Sequence, residues 1–169
     1  LMLAAAHELA ITPEAYLESM NRKARSLGLE ETYFINETGL DVSSSTSGAY
    51  GSARDVAKLI AFVSTSNPAL MERSVEPVWR FTSLSGTTHE AHNTALLAAS
   101  FASSVASKTG YTDLAGGNMS FVFEPIAGHP VAVVVLGSSH EGRIADAKLL
   151  SDFAESAVRR NVTCVDQAP

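Results

Sequence analysis

The chain has 169 residues, 46% of them hydrophobic and 18% charged, with a formal net charge of −6. That length and balance fit one globular domain with a sizeable core and exclude a disordered chain. The negative charge and the lack of a Lys/Arg stripe exclude nucleic acid as the main partner, and a single cysteine, Cys164, excludes an internal disulfide and a cysteine-built zinc site.

The apolar start, Leu1 to Ala6, stops at His7 and Glu8, far short of a membrane span, and has no basic residues of a secretory signal. It reads as a helix running to about Ala10, and the chain as part of a longer polypeptide. Thr12-Pro13-Glu14 then predicts a helix start, with Thr as N-cap, Pro at the first helical position and an acid at the positive end. Tyr16, Met20, Ala24 and Leu27 recur at helical spacing, and Gly28 suits the C-terminal cap. TYFINETGLDV and the polar run SSSTSGAYG read as loop, the second as a mobile one.

Ser52, with Asp55 three residues on, predicts a second capped helix with Val56, Leu59, Ile60 and Val63 as its buried stripe. Asn67-Pro68 starts a short further turn of helix. Val78 to Ser83 reads as a strand and His89 to Leu97 as turn or coil. Three more strands follow, at Ala102–Thr109, Met119–Glu124 and Val131–Leu136, joined by short links rich in turn formers. They predict an antiparallel meander. Met119, Phe121 and Phe123 share one face of their strand, and VAVVVL, with no alternation, reads as covered on both faces. Ala145, Leu149, Phe153 and Ala157 mark a last long helix, and residues 161–169 a polar tail or linker. Helices, then antiparallel strands, then a helix able to lie across the sheet make an α+β fold.

Candidate chemistry centres on Lys108-Thr109-Gly110, placed by this reading at the end of a strand. An edge strand offers free backbone groups to an extended peptide. Lys108 would set a positive charge beside a carboxylate, Thr109 a hydroxyl donor, and Gly110 no Cβ to hold a ligand away. The N–H of Tyr111 could serve an oxyanion. The competing reading is a hairpin turn with solvated side chains. His89 and His92 have a metal-like spacing but no further ligand cluster beside them, so they read as solvated. Arg143 and Asp146 read as an ordinary helix-surface pair.

The string KTGYTDLAGGNMSF resembles the third motif region of D-alanyl-D-alanine carboxypeptidases of the penicillin-binding protein and serine β-lactamase family. ESMNRKARSLGL, YFINETGLD, GSARDVAKLIAF, AHNTALL and GRIADAKLLSDF resemble that family in the same order, from about Leu1 to Val158. The resemblance implies a β-lactamase/transpeptidase-like sheet flanked by helices, here incomplete, with residues 1–160 as the C-terminal part of the catalytic domain. It implies a serine that attacks the D-Ala-D-Ala amide of a peptidoglycan stem peptide, through an acyl-enzyme that β-lactams also form, with no cofactor. By it, Lys108 serves proton transfer and electrostatics, Thr109 and Gly110 the substrate carboxylate and backbone, and the Tyr111 amide the oxyanion. His92 and Asn93 would line the cleft, and Arg143 would stand near it. The implied location is extracytoplasmic, at the periplasm or cell surface, with the full-length protein associated with the membrane.

One departure stands out. The lysines are Lys23, Lys58, Lys108 and Lys148, and three residues before them stand Met20, Asp55, Val105 and Ala145, so no S-x-x-K exists here. Ser19-Met20-Asn21 spells S-x-N but lies inside a helix that in the family follows the true motif. The nucleophile is expected upstream of Leu1, and the chain alone is expected to be inactive and to self-associate or pair with the remainder of its domain. A non-catalytic peptide-binding module and a β-lactamase remain the alternatives.

Overall fold

The computed structural model describes residues 11–95 and 103–165, the last five as backbone only. The expected first helix, to Ala10, lies outside them. Helix α1, Pro13–Ser26, starts where Thr12 Oγ1 accepts the Ala15 amide at 3.2 Å. The Glu14 backbone and the Thr12 side chain hold the Glu14 carboxyl below the usual carboxylate range. At the other end Gly28 takes a positive φ of 68°. This lets the Leu29 and Gly28 amides return to the Ala24 and Arg25 carbonyls, at 3.1 and 3.0 Å, as a paired helix stop. Leu29 and Ala24 are both buried beneath it.

Strands β1, Tyr33–Phe34, and β2, Ala49–Tyr50, pair antiparallel, so the serine-rich run is closed at its base. Buried Asn21 fixes α1 to β1, with its side-chain oxygen and nitrogen each 2.8 Å from the Phe34 N–H and carbonyl. Helix α2, Ala53–Ser66, begins at Ser52, whose hydroxyl accepts the Asp55 amide at 3.3 Å. The Asp55 carboxylate does not complete a capping box. It reaches back instead to the Glu31 amide and the Thr32 hydroxyl, at 2.8 and 3.0 Å. Burial pushes its pKa up, but those two donors and Lys58 outweigh burial and hold it below the usual aspartate range. The helix is followed by 3₁₀ turns at Pro68–Leu70 and Glu72–Ser74.

Strands β3, Val78–Thr82, and β4, Thr88–His92, form an exposed antiparallel hairpin, so of the segment His89 to Leu97 that the sequence reads as turn or coil, His89 to His92 is strand, Asn93 to Ala95 is not, and the rest lies outside the described residues. The meander stands as expected: β5, Ser104–Thr112, β6, Gly116–Phe123, and β7, Val131–Ser138, lie in that order, all antiparallel. Lys108-Thr109-Gly110 lies inside β5 rather than at its end, because the strand runs on to Thr112.

Helix α3, Gly142–Val165, crosses one face of the sheet and carries the first five residues of the expected tail. Met119, Phe121, Phe123, Val133 and Val135 pack there with Ala147 of α3. On the other face Val122 and Ala106 pack with Ile60 of α2. The apolar β7 is therefore covered by a helix on each side, as its lack of alternation predicts. Fully burying each of Phe121 and Phe123 stabilises the fold by about 1.5–3 kcal/mol. The architecture is α+β, and its purpose for the site is to hold β5 at one edge of a rigid sheet.

Candidate active-site cleft

β6 is the one strand bonded to β5 among the described residues, so the other side of β5 is an edge. That edge is closed at its near end by a 3₁₀ turn. The Ser107 amide donates to Ser74 Oγ at 2.9 Å, and the Ser107 hydroxyl donates to the Ser74 carbonyl. Because peptide groups alternate along a strand, an outward Ser107 amide puts those of Thr109 and Tyr111 on the same edge. Beyond Ser107 lies a cleft of about 240 Å³, walled by β5, the Glu72–Ser74 turn and the hairpin, and lined by Arg73, Trp79, His92, Lys108 and Thr109.

Lys108 is exposed, with Nζ turned to the carbonyl of its neighbour Thr109. The Thr109 hydroxyl lies 2.6 Å from that of Thr94. At Gly110 an added Cβ would meet only the Asn118 Cβ, at 3.9 Å. The fold itself does not require glycine there. Tyr111 is half exposed and stands edge-on to His140, with ring centroids 5.2 Å apart.

The hairpin wall is built from a column of rings. Trp79 stacks on Phe81 at 4.6 Å and Phe81 on His89 at 5.2 Å, while the Arg73 guanidinium lies 5.7 Å from the indole centroid. Arg73 is also paired with Glu76 at 2.5 Å, and Arg80 with Glu90 across the strands at 2.5 Å. His92 lines the cleft with its Nε2 2.8 Å from Glu90. His89, three residues away on the same strand, points to the opposite face, so the metal-like spacing brings no two imidazoles together. Asn93 has both side-chain atoms engaged, donating to the Ser74 carbonyl at 2.8 Å and accepting the Ala95 amide at 2.7 Å. It holds the wall rather than offering a free amide.

Arg143 does not pair with Asp146, whose carboxylate accepts the Ser138 hydroxyl at 2.6 Å. It is buried and donates to the Gly110 carbonyl at 2.9 Å. The structure thus gathers Lys108, Thr109, His92 and Asn93 about one cleft, with Gly110 next along the strand and Arg143 bonded to its carbonyl. Sequence reasoning missed His140, which touches both Tyr111 and Arg143. It also missed the clamp from Ser74, for which no local signal exists. Ser19-Met20-Asn21 is structural, since the Ser19 hydroxyl bonds the Tyr16 carbonyl at 2.7 Å and Asn21 is spent on Phe34.

The α+β arrangement of an antiparallel sheet between helices is shared with solved penicillin-binding proteins and DD-transpeptidases. A D-alanyl-D-alanine carboxypeptidase from Mycobacterium tuberculosis H37Rv is 26% identical, with a TM-score of 0.67 over 88% of this chain and 56% of its own. Penicillin-binding protein D2 from Listeria monocytogenes, in its cefotaxime-bound form, is 27% identical, with a TM-score of 0.68 over 81% of this chain and 53% of its own. A point mutant of the Streptomyces K15 DD-transpeptidase shares the fold at 21% identity and a TM-score of 0.68, over 83% and 54%. Comparison with curated proteins finds no match. The D-alanyl-D-alanine carboxypeptidase family, peptidase family S11, matches residues 2–140, and the chain belongs to that family. It spans a little over half the length of these solved relatives.

Proposed function

We propose that the chain forms the substrate-holding side of a serine-type D-Ala-D-Ala carboxypeptidase acting on peptidoglycan stem peptides outside the cytoplasmic membrane. The observation that carries this reading is the open stretch of the β5 edge, where Lys108 and Thr109 line one cleft and the Tyr111 amide follows outward along the same edge. A stem peptide would lie along that edge as an added strand. The Thr109 hydroxyl would turn from Thr94 to the terminal carboxylate, with Lys108 adding positive charge. Gly110 would let the peptide backbone come close.

A serine oxygen would then attack the carbonyl carbon of the penultimate D-Ala. The Tyr111 N–H would donate to the oxyanion that forms. The C–N bond breaks, the amine of the last D-Ala leaves with a proton, and water later cleaves the ester. With no S-x-x-K in these 169 residues, the reading requires a serine supplied by polypeptide outside them, and the chain alone performs no acyl transfer. His92 would meet the substrate at the cleft wall that Asn93 holds. Arg143 would add positive charge through Gly110. β-Lactams would acylate the same serine; the Listeria relative is described with cefotaxime and with ampicillin bound.

The test is labelling of the full-length protein with a fluorescent penicillin, beside release of D-Ala from a pentapeptide. Both are expected, and a folded protein that shows neither overturns the reading. Absence of S-x-x-K and S-x-N from the stretch encoded before Leu1 would favour the second reading, a peptide-binding module. It would bind the pentapeptide with no label taken up. Rapid nitrocefin turnover would instead mark a β-lactamase.

A further inference from the structure

The loop between β1 and β2 is cross-tied rather than open. Asn36 stands at its start. Its side-chain oxygen accepts the amides of Thr38 and Gly39, at 3.0 and 2.8 Å, and its nitrogen donates to the Leu40 carbonyl at 2.8 Å. Gly48 closes on this knot so tightly that a Cβ there would lie 2.2 Å from the Leu40 carbonyl oxygen. The Val42 amide bonds the Thr46 carbonyl at 2.8 Å, folding the serine run back on itself.

The next residue after Leu40 is Asp41, and this loop holds it against the turn between β5 and β6. One carboxylate oxygen accepts the Thr112 hydroxyl at 2.9 Å, and the other accepts the Leu114 amide at 3.1 Å. The Thr112 hydroxyl oxygen also accepts the Ala115 amide at 3.0 Å, so turn and carboxylate form one network. Thr112 directly follows Tyr111.

Among the described residues β5 has no outer strand, and side-chain grips hold both ends of its open stretch. Ser74 grips Ser107 at one end, and Asp41 grips Thr112 at the other. Between the two grips lie Lys108, Thr109, Gly110 and Tyr111. We infer that Asp41 is a positioning residue for the cleft, setting the direction of the Tyr111 N–H and the line of the strand on which a substrate would lie. This rests on the function proposed above. An oxyanion donor works only where it already points, so a small rotation of the far end of β5 would lower the rate of bond formation more than it lowers binding.

The test is stopped-flow acylation of the full-length protein by a fluorescent penicillin, which separates noncovalent binding, acylation rate and final labelled fraction. Asp41→Asn keeps the shape but turns one acceptor into a donor facing another donor. Thr112→Val deletes the hydroxyl, and Thr112→Ser keeps it. Asp41→Asn and Thr112→Val are expected to slow acylation about ten- to a hundredfold. The binding constant and labelled fraction should stay within about twofold, and Thr112→Ser should retain the wild-type rate.

A reduced labelled fraction with an unchanged rate would mean that Asp41 only staples the fold, and would overturn the inference. So would a Thr112→Ser protein as slow as Thr112→Val. If wild-type protein takes no label and releases no D-Ala, the proposed function fails on its own. Asp41 is then judged by hydrogen exchange at Leu114 and Ala115, the turn amides that its network accepts. Exchange at least about tenfold faster in Asp41→Asn is expected, and unchanged exchange overturns the positioning role.

Discussion

Along β5 the outward edge meets Ser74 at Ser107 and then opens to a cleft at Lys108 and Thr109, where the Thr109 hydroxyl meets that of Thr94. Along β7, the other outer strand, the edge runs between apolar walls. Leu149 and Phe153 of α3 are 71% and 67% exposed, and beside them lie Leu150, Ala53 and Ala57. Among the described residues neither edge has a further strand bonded to it, a condition that a sheet must manage in some way. β5 is managed by side chains that fix its ends and leave its middle for a polar ligand. β7 is flanked by surface that water satisfies poorly. The polar edge therefore suits exchange with a solute, and the apolar edge suits lasting cover.

The largest expected effect tests the first half of that contrast. Lys108→Ala in the full-length protein is expected to lower penicillin acylation about a hundred- to a thousandfold. Its melting temperature should hold, because the side chain is exposed and bonds only the carbonyl of its own neighbour, Thr109. An acylation rate near wild type would show that the open edge is not where substrate sits. Gly110→Ala should slow acylation about tenfold by holding a ligand backbone away from the strand. Stability should change by less than about 0.5 kcal/mol, since the new methyl meets only ordinary contact.

The apolar edge is tested by sedimentation of residues 1–169 alone. Association that grows with concentration is expected, and Leu149→Glu with Phe153→Glu should reduce it. A compact monomer at high concentration would erase the difference between the edges. The smallest effect concerns neither edge directly. Asp55 has a folded pKa below its ordinary 3.8, so its contribution to stability is present above that value and is lost as pH falls through the folded pKa. Asp55→Asn should flatten that acid-side loss in thermal melts from pH 5 to pH 2. A wild-type slope unchanged by the substitution would assign the loss to other carboxylates.

The meander is legible in advance because Met119, Phe121 and Phe123 alternate and VAVVVL does not. Each pattern reports which faces a strand buries. β4 is illegible because THEAH carries no apolar rhythm. It is a strand only because Arg80 meets Glu90 and Phe81 meets His89 across the hairpin. Gly110 reads as a strand end, as glycine often is, yet β5 continues to Thr112 because its ladder with β6 holds through Gly116. Within the cleft, Lys108 and Thr109 are legible by motif. The grip of Asp41 on Thr112 is not, since it joins residues 71 apart and leaves no periodic trace.

Asn21 has one further use. Its side-chain amide imitates a peptide group, giving and taking one bond each with Phe34 in a buried place. The two Nδ2 hydrogens should therefore be distinguishable in a nitrogen-labelled spectrum and slow to trade with deuterium. That makes Asn21 a native spectroscopic reporter for whether the first helix has docked, readable without any label attached to the chain.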